Sequence, residues 1–410
     1  MTTLSDRAET ALSARPLPGL SRLIDPVDVA TFQRVYWEQR PLVVHREDPC
    51  YYAGLLTLDD IDQILNMSNV LQDNVRVVMN GKETPVSELV SSGGRNARAN
   101  ALEELYAHYR DGSTIVLNAL ELRWEPLAQL ARSVGAELSA KLQMNIYLTP
   151  AGSQGFAAHY DTHDVFVAQV HGSKQWRAAA GTPALPLMSQ PYDKSQPEPS
   201  PDLEFQLNAG DVVYLPRGTV HWATSNATAS AHITIGVHPF LYEEVLVGAI
   251  KKVFAEDVRF RGGLPIGFAA DEALQHGART TVAELIDVLR MRLSPADMVA
   301  EAVTRAASLS TPPLRHHLTD LEELGELWVD TRVRRRAGQQ SYLTVSDDSV
   351  RLHFSNKAVG FPIGVAPQVR YVAENDSGSF TANDIPGDLD EPGRLVLVQT
   401  LLREGFLTVG

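Results

Sequence analysis

Sulfur chemistry is nearly absent from this chain. Cys50 is the only cysteine in 410 residues, so no internal disulfide forms and a reducing compartment is expected. Long apolar runs are missing too, and no window approaches the roughly 18 apolar residues of a spanning helix. The opening "MTTLSDRAETALSARPLPGL" has no apolar stretch of signal-peptide length, so a cytoplasmic location with no membrane partner is expected. Basic charge is in deficit. The formal net charge of -14 argues against a protein that coats nucleic acid, because phosphate binding needs a basic footprint, and no direct nucleic-acid partner is expected. The one basic run, Arg332 to Arg336, reads as a solvated turn rather than an RNA contact. Internal repeats and heptads are also lacking.

What is present is the composition of a globular protein, 44% hydrophobic and 21% charged. At 410 residues two or three domains are expected, since one core seldom organises more than about 250 to 300 residues. The first hundred residues hold helical fragments. In "DPVDVATFQRVYWEQRP" Asp25 is placed to cap, Pro26 suits the first turn and Pro41 ends the pattern; "TLDDIDQIL" starts at Thr57 with acidic residues in its first turn. From about 142 to 240 the texture changes to short strand-like runs split by Gly, Pro, Asn and Asp, which predicts an antiparallel sandwich or barrel. "LQMNIYLT" alternates, with Leu142, Met144, Ile146 and Leu148 on one face and Gln143, Asn145, Tyr147 and Thr149 on the other. Gly181 to Leu203 reads as a long loop between strands. Beyond about 250 the pattern turns helical again: Thr281 to Glu284 has capping-box spacing, and Ser294-Pro295-Ala-Asp297 offers a cap and a first-turn proline. Their apolar stripes call for a neighbour within the chain or a dimer partner. A smaller mixed unit follows, whose last helix, "RLVLVQTLLREGF", closes on Gly405.

Chemistry concentrates in "HYDTHDVFVAQVHGSKQWR", residues 159 to 177. On a strand His159 and Asp161 share a face, so an imidazole nitrogen and a carboxylate oxygen converge on one ion. "GDVVYLPRGTVHWATSN" supplies His221 at the end of a glycine and proline turn. Two histidines and a carboxylate make the facial triad of non-haem Fe(II) oxygenases, which leaves three coordination positions free; a closed structural zinc site is more often built from cysteine. If Gly172-Ser173 is a two-residue hairpin turn, His171 pairs with Lys174, and parity points the lysine to the ligand face. A buried ammonium needs an anion, and 2-oxoglutarate, chelating iron at one end, has the shape to supply it.

With these motifs in place the sequence resembles a JmjC-domain 2-oxoglutarate oxygenase of the cupin superfamily, most closely its ribosomal oxygenase branch. The resemblance rests on His159-Tyr-Asp161, on Lys174 fifteen residues after the first histidine, and on His221 in the second cupin pattern. It extends to "FQRVYWEQRPLVV". It places Asn145, fourteen residues before His159, and Ser230 on the last core strand as cosubstrate contacts. The chain departs from the pattern in lacking the first cupin motif's downstream glutamate. Phe156 stands where several peptide hydroxylases keep a threonine, and Asn226 falls one residue late.

The resemblance implies an α+β fold: a double-stranded β-helix (jelly-roll, cupin) core with flanking helices, a helical dimerisation region and a winged-helix-like C-terminal domain. The corresponding boundaries are 1–255 for the catalytic domain (core about 142–240), 256–318 for the dimerisation region and 319–410 for the tail. The implied activity is an Fe(II)-, 2-oxoglutarate- and O2-dependent dioxygenase acting as a homodimer on an arginine or histidine of a protein substrate, a ribosomal protein. The competing readings are the same chemistry on a peptide natural product or free amino acid, and a non-catalytic cupin binding protein. Nothing resembles a chromatin reader. His163, His171, His232 and His238 read as supporting rather than ligating residues.

Overall fold

The computed structural model describes residues 19–67, 75–84, 97–309, 314–336, 339–355, 357–375 and 378–410. Two compact units form, one ending at His238 and the other beginning at Pro239. Among the described residues no helix is long and apolar enough to cross a membrane.

The first unit contains β1 (Leu42–Val44), β2 (Val75–Met79), β3 (Lys82–Thr84), β4 (Thr114–Leu117), β5 (Lys141–Thr149) and β6 (Asp164–His171). Then come β7 (Ser173–Ala179), β8 (Leu203–Asn208), β9 (Val212–Leu215), β10 (Val220–Ser225) and β11 (Ser230–His238). Eight strands make one antiparallel sheet in the order β1-β9-β6-β11-β5-β4-β2-β3, and three make a second in the order β10-β7-β8. Successive strands alternate between sheets at β6 to β7, β8 to β9, β9 to β10 and β10 to β11, the wrapping of a double-stranded β-helix.

The sequence pattern follows from what each face meets. In β6, Val165 and Val167 pack with Trp176, Leu207 and Val213 between the sheets, while Phe166 and Ala168 pack outward with Phe32, Leu20 and the other helix-borne side chains. Both faces are buried, which is why "VFVA" reads as a continuous apolar run. β5 is different. Leu142, Met144 and Ile146 join the outer core with Leu127, Leu130 and Val134 of the helix Glu125–Leu138, and each such buried side chain stabilises the unit by roughly 1.5–3 kcal/mol. Its polar face, Tyr147 and Thr149, is left for the barrel interior.

Several local expectations hold. Thr57 and Asp60 cap the helix Leu58–Met67 reciprocally: Asp60 N donates to Thr57 Oγ1 at 3.2 Å and Thr57 N to Asp60 Oδ2 at 2.8 Å. Ser294 Oγ accepts from Asp297 N at 3.3 Å before the helix Pro295–Leu309. The helix Glu391–Arg403 stops at Gly405, φ +76°, and 180–202 joins β7 to β8.

Others need correction. Gly172-Ser173 is not a hairpin turn: β6 and β7 lie in different sheets, His171 is opposite Ala231, and Lys174 is opposite Ser225 and Leu207. Gly172, φ +61°, passes so close to Ala229 that a Cβ would overlap its carbonyl oxygen, so the glycine serves a crossing between sheets. Asp28, not Asp25, caps the helix Val29–Val35, because its carboxylate reaches Thr31 N at 2.8 Å. Thr281 lies inside the helix Glu272–Arg292, which starts at Asp271; its hydroxyl turns back to Gly277 O.

In the second unit the helices Tyr242–Glu256, Glu272–Arg292 and Pro295–Leu309 precede β12 (Val333–Arg335), β13 (Tyr342–Val345), β14 (Ser349–Phe354), β15 (Lys357–Pro362) and β16 (Leu407–Val409). β13-β14-β15 and β12-β16 are antiparallel sheets, packed with the helices Ala366–Glu374 and Glu391–Arg403 through Val350, Leu352, Val369, Val372, Leu401 and Phe406. The basic run at 332–336 is not a solvated turn. Arg335 donates to the Ala373 and Gln339 carbonyls, and Arg336 is buried against Asp320 at 2.6 Å. Strand β12 draws these guanidiniums inward, where carbonyls and a carboxylate satisfy them.

Candidate active site

His159 and His221 meet as an isolated antiparallel bridge, His221 N donating to His159 O at 2.8 Å and His159 N to His221 O at 3.2 Å. Their ring centroids are 4.6 Å apart. Each Nδ1 faces the carbonyl two residues back, Ala157 O at 2.8 Å and Thr219 O at 3.0 Å. A carbonyl only accepts, so both rings carry the proton on Nδ1 and leave Nε2 bare for a metal. Asp161 Oδ2 lies 3.8 Å from His221 Nε2, and one ligand atom from each of the three residues falls within 4.8 Å of the others. Gly218, φ +85°, completes the tight turn ahead of His221 and donates its N–H to Asp161 O at 3.0 Å.

The electrostatics suit a cation. Burial, then the neighbouring His159, pulls His221 down to about 4, against the opposing pull of Asp161, so its imidazole is neutral and its lone pair available. Burial pushes the Asp161 carboxyl up, but His159, His221, His163 and His238 together hold it below its ordinary value and keep it anionic. Two imidazoles and one carboxylate, with no cysteine, fit a first-row divalent ion with open positions rather than a closed structural zinc.

The three ligands line one cavity together with Lys174, Tyr147, Thr114, Trp176 and His232. Lys174 is 4% exposed, and its ammonium donates to Thr149 Oγ1 at 2.9 Å; Thr114 Oγ1 lies 3.0 Å further on. Among the described residues no carboxylate pairs with it, and burial alone pulls the ammonium down to about 7. An ammonium has three protons to donate and this one spends a single proton on Thr149. Phe156, in the place where a threonine was noted as absent, packs against Tyr147 and His159 at ring distances of 5.6 and 5.8 Å, and the threonine hydroxyls come instead from β4 and β5.

Asn145 and Ser230 are not among the residues that line the cavity. Asn145 Oδ1 accepts from Ala119 N at 3.0 Å, and Ser230 Oγ accepts from Gln169 Nε2 at 2.7 Å. The rings of His163 and His238 lie 4.5 Å apart, tilted by 51°, and stay outside the ligand group. Thr149, Thr114, Trp176 and His232 were not singled out in the sequence as site residues. The β5 alternation put Thr149 on the correct face, but its contact with Lys174 depends on the pairing of two sheets.

The residues flanking Asp161 turn outward to 180–202: Tyr160 donates to Gln190 O at 3.0 Å, its ring meets Tyr192 edge-on at 5.0 Å, and the Thr162 hydroxyl reaches Met188 Sδ at 3.4 Å. The long loop therefore packs on the turn that carries the metal carboxylate.

Residues 119–245 match the JmjC domain family. Ribosomal oxygenase 1 of Homo sapiens is 32% identical over 326 residues, 73% of this chain and 48% of that protein. The bifunctional lysine-specific demethylase and histidyl-hydroxylase NO66 of Drosophila persimilis is 30% identical over 290 residues, 68% of this chain and 41% of that protein. The chain thus spans about half the length of the curated relatives it matches. Among solved structures, YcfD, a ribosomal oxygenase from Escherichia coli in complex with cobalt and 2-oxoglutarate, shares the fold with a TM-score of 0.50 at 17% identity, over 93% of this chain and 98% of that one. Family match, curated relatives and shared fold agree with the jelly-roll geometry and its ligand group: residues 119–245 form a JmjC domain, and the chain is similar to ribosomal oxygenases.

Proposed function

We propose that this protein is an Fe(II)- and 2-oxoglutarate-dependent oxygenase that hydroxylates an arginine or histidine side chain of a ribosomal protein. The observation that carries the reading is a buried lysine that has no carboxylate partner among the described residues, on the same cavity as two histidines with free Nε2 atoms and an aspartate. His159, Asp161 and His221 would hold the iron, which when bound supplies the activation of oxygen and the oxidation of a C–H bond. The chain's own part is placement. The Ala157 and Thr219 carbonyls orient the imidazoles, Lys174 neutralises the far carboxylate of the cosubstrate, and Thr149 holds the lysine to that task. Apolar walls from Val165, Val167 and Trp176 exclude water. Asn145 and Ser230 support this polar lining from the residues beside it, and the loop at 180–202 is where a protein substrate would be read.

For the rest of the chain we infer a catalytic domain over 1–255, a homodimer formed through the helical region 256–318 and a winged-helix-like domain over 319–410. The helices Glu272–Arg292 and Pro295–Leu309 leave Ile286 48% and Val299 60% exposed on their apolar stripes, which supports the dimer. A single cysteine and an acidic chain suit a reducing, cytoplasmic setting.

The test is anaerobic titration of the protein with Fe(II) and 2-oxoglutarate, followed by the weak visible charge-transfer band, in wild type, His221→Ala and Lys174→Ala. The expected result is a band in wild type, none in His221→Ala, and a far higher 2-oxoglutarate requirement in Lys174→Ala. Incubation with ribosomal proteins should then add a single oxygen, seen by mass spectrometry. No band in wild type under any condition would leave a non-catalytic cupin as the account.

A further inference from the structure

His232, which no part of this mechanism yet uses, sits on β11 opposite Tyr147 of β5 and is 3% exposed. Its ring lies flat on Tyr147, centroids 5.0 Å apart at 4°, and Trp176 meets it nearly edge-on at 5.5 Å. Two aromatic walls therefore fix the plane of the imidazole. Nδ1 is enclosed without a hydrogen-bond partner, yet the residue lines the cavity that holds Lys174 and His221. Nε2, unlike Nδ1, is not among the enclosed unpartnered atoms, so the cavity lies on the Nε2 side of the ring.

The protonation follows from the surroundings. Burial, and after it the charges of Lys174 and His221, disfavour the imidazolium, so the ring is neutral and carries one proton. On Nδ1 that proton would be a buried orphan donor, the costlier arrangement; an unfilled acceptor is better tolerated. The proton belongs on Nε2. Next to an ammonium that still has protons to donate, an N–H aimed into the same space adds a second donor for an acidic occupant, whereas a bare lone pair there would repel one.

We propose that His232 is a further cosubstrate-binding residue, donating its Nε2 hydrogen to an oxygen of the 2-oxo acid that Lys174 anchors. This rests on the function proposed above. Lys174 supplies charge and His232 supplies direction: the stacked ring cannot swing, so the donor selects acids whose oxygens fall on its line.

Glutamine and asparagine separate the two nitrogens. The amide nitrogen of Gln takes the place of Nε2, and that of Asn the place of Nδ1. Calorimetric titration of Mn(II)-loaded protein with 2-oxoglutarate, in wild type and in His232→Gln, His232→Asn and His232→Leu, should show His232→Gln within about threefold of wild type and the other two weaker by about tenfold or more, the loss of one hydrogen bond to a charged group. Melting temperatures identify any variant that has failed to fold. Independently of variants, nitrogen-15 NMR of histidine-labelled wild type should find this ring protonated on Nε2, with that proton resonance moving when 2-oxoglutarate is added. Binding restored by Asn and not by Gln, wild-type affinity in His232→Leu, or a proton on Nδ1 would each overturn the role of His232 while leaving the oxygenase standing. Failure of wild type to bind 2-oxoglutarate with metal present would remove the functional reading and this residue's role together.

Discussion

The affinity for 2-oxoglutarate should depend on pH through Lys174, and the slope follows from its burial. Loss of water pulls this ammonium from its ordinary 10.5 to about 7, since among the described residues no carboxylate offsets the desolvation. Holding the charge in the empty cavity therefore costs on the order of 4–5 kcal/mol relative to water. Below pH 7 the empty site is already charged and affinity is flat. Above pH 7 the empty site holds a neutral amine, and a bound carboxylate restores the ammonium by drawing a proton from solution. Affinity then falls about tenfold per pH unit from about 7 upward, and proton uptake approaches one per acid bound by about pH 8.5. Titration calorimetry of Mn(II)-loaded protein between pH 6 and 8.5, in buffers of different ionisation enthalpy, reads both quantities. Lys174→Arg is the control, because a guanidinium does not titrate in this range and the slope should vanish. The ligand-free protein obeys the same linkage with the opposite use: between about pH 7 and 10.5 the unfolded chain binds the proton that the folded one has shed, so this residue makes stability rise with pH across that window. A pH-independent affinity in wild type, or the same slope in Lys174→Arg, would refute the reasoning.

Gly172→Ala should lower the melting temperature of the protein by about 5 °C or more, since a left-handed backbone and overlap with the Ala229 carbonyl together cost more than about 2 kcal/mol; an unchanged melt would mean the sheet crossing is not held there. Asp320→Asn strands Arg336 inside the second unit and removes the full charge that Thr408 Oγ1 and Val409 N also address, so about 3 kcal/mol of that unit's stability should be lost. Native-state hydrogen exchange of amides in β14 and β16 measures it, and a loss under about 1 kcal/mol would show the pair to be dispensable.

The parts of this fold that were legible in the sequence are those decided by residues a few places apart. Alternation in β5 sorted Leu142, Met144 and Ile146 from Tyr147 and Thr149, and the Thr57 and Ser294 caps were visible because a cap needs only its own first turn. Misreadings fell where a distant partner decided. Thr281 has the spacing of a cap, but the preceding turns of helix form and Asp271 caps them instead. Arg335 and Arg336 look like a surface run until Asp320 and the Ala373 carbonyl, from other elements, are folded onto them. The candidate metal ligands were legible because His159 and Asp161 sit two residues apart and His221 ends a glycine-marked turn, although the pair is not on a strand: His159 forms a single bridge with His221 and Asp161 lies in the turn before β6. Thr149, Trp176 and His232 carry no such local mark.

Lys174 shows how a correct placement survived an incorrect path. The expected hairpin would have carried it across one sheet from His171; the chain instead leaves that sheet at Gly172 and enters the facing one. Both routes leave the lysine inward. In a barrel of two facing sheets the inner faces share one interior, so a strand that turns the corner with its inward set intact delivers the next strand's inward set to the same cavity. Inward parity runs from Val165 and Val167 through Gln169 on β6 and resumes at Lys174 and Trp176 on β7, and the single odd step is absorbed where the pairing of β6 with β11 shifts register between Gln169 and His171, so that Gly172 only makes the crossing between sheets. A lysine thus lines the same cavity as a candidate metal group thirteen or more residues away in sequence, on a strand that pairs with the His221 strand itself. That pairing ties Lys174 to His221 through β7 and β10, so the spacing between those two is set by strand register, while Asp161 sits on the turn against which the loop at 180–202 packs. Changes in the loop that keep Gln190 and Tyr192 against Tyr160 should therefore leave the distance from Lys174 to His221 unchanged.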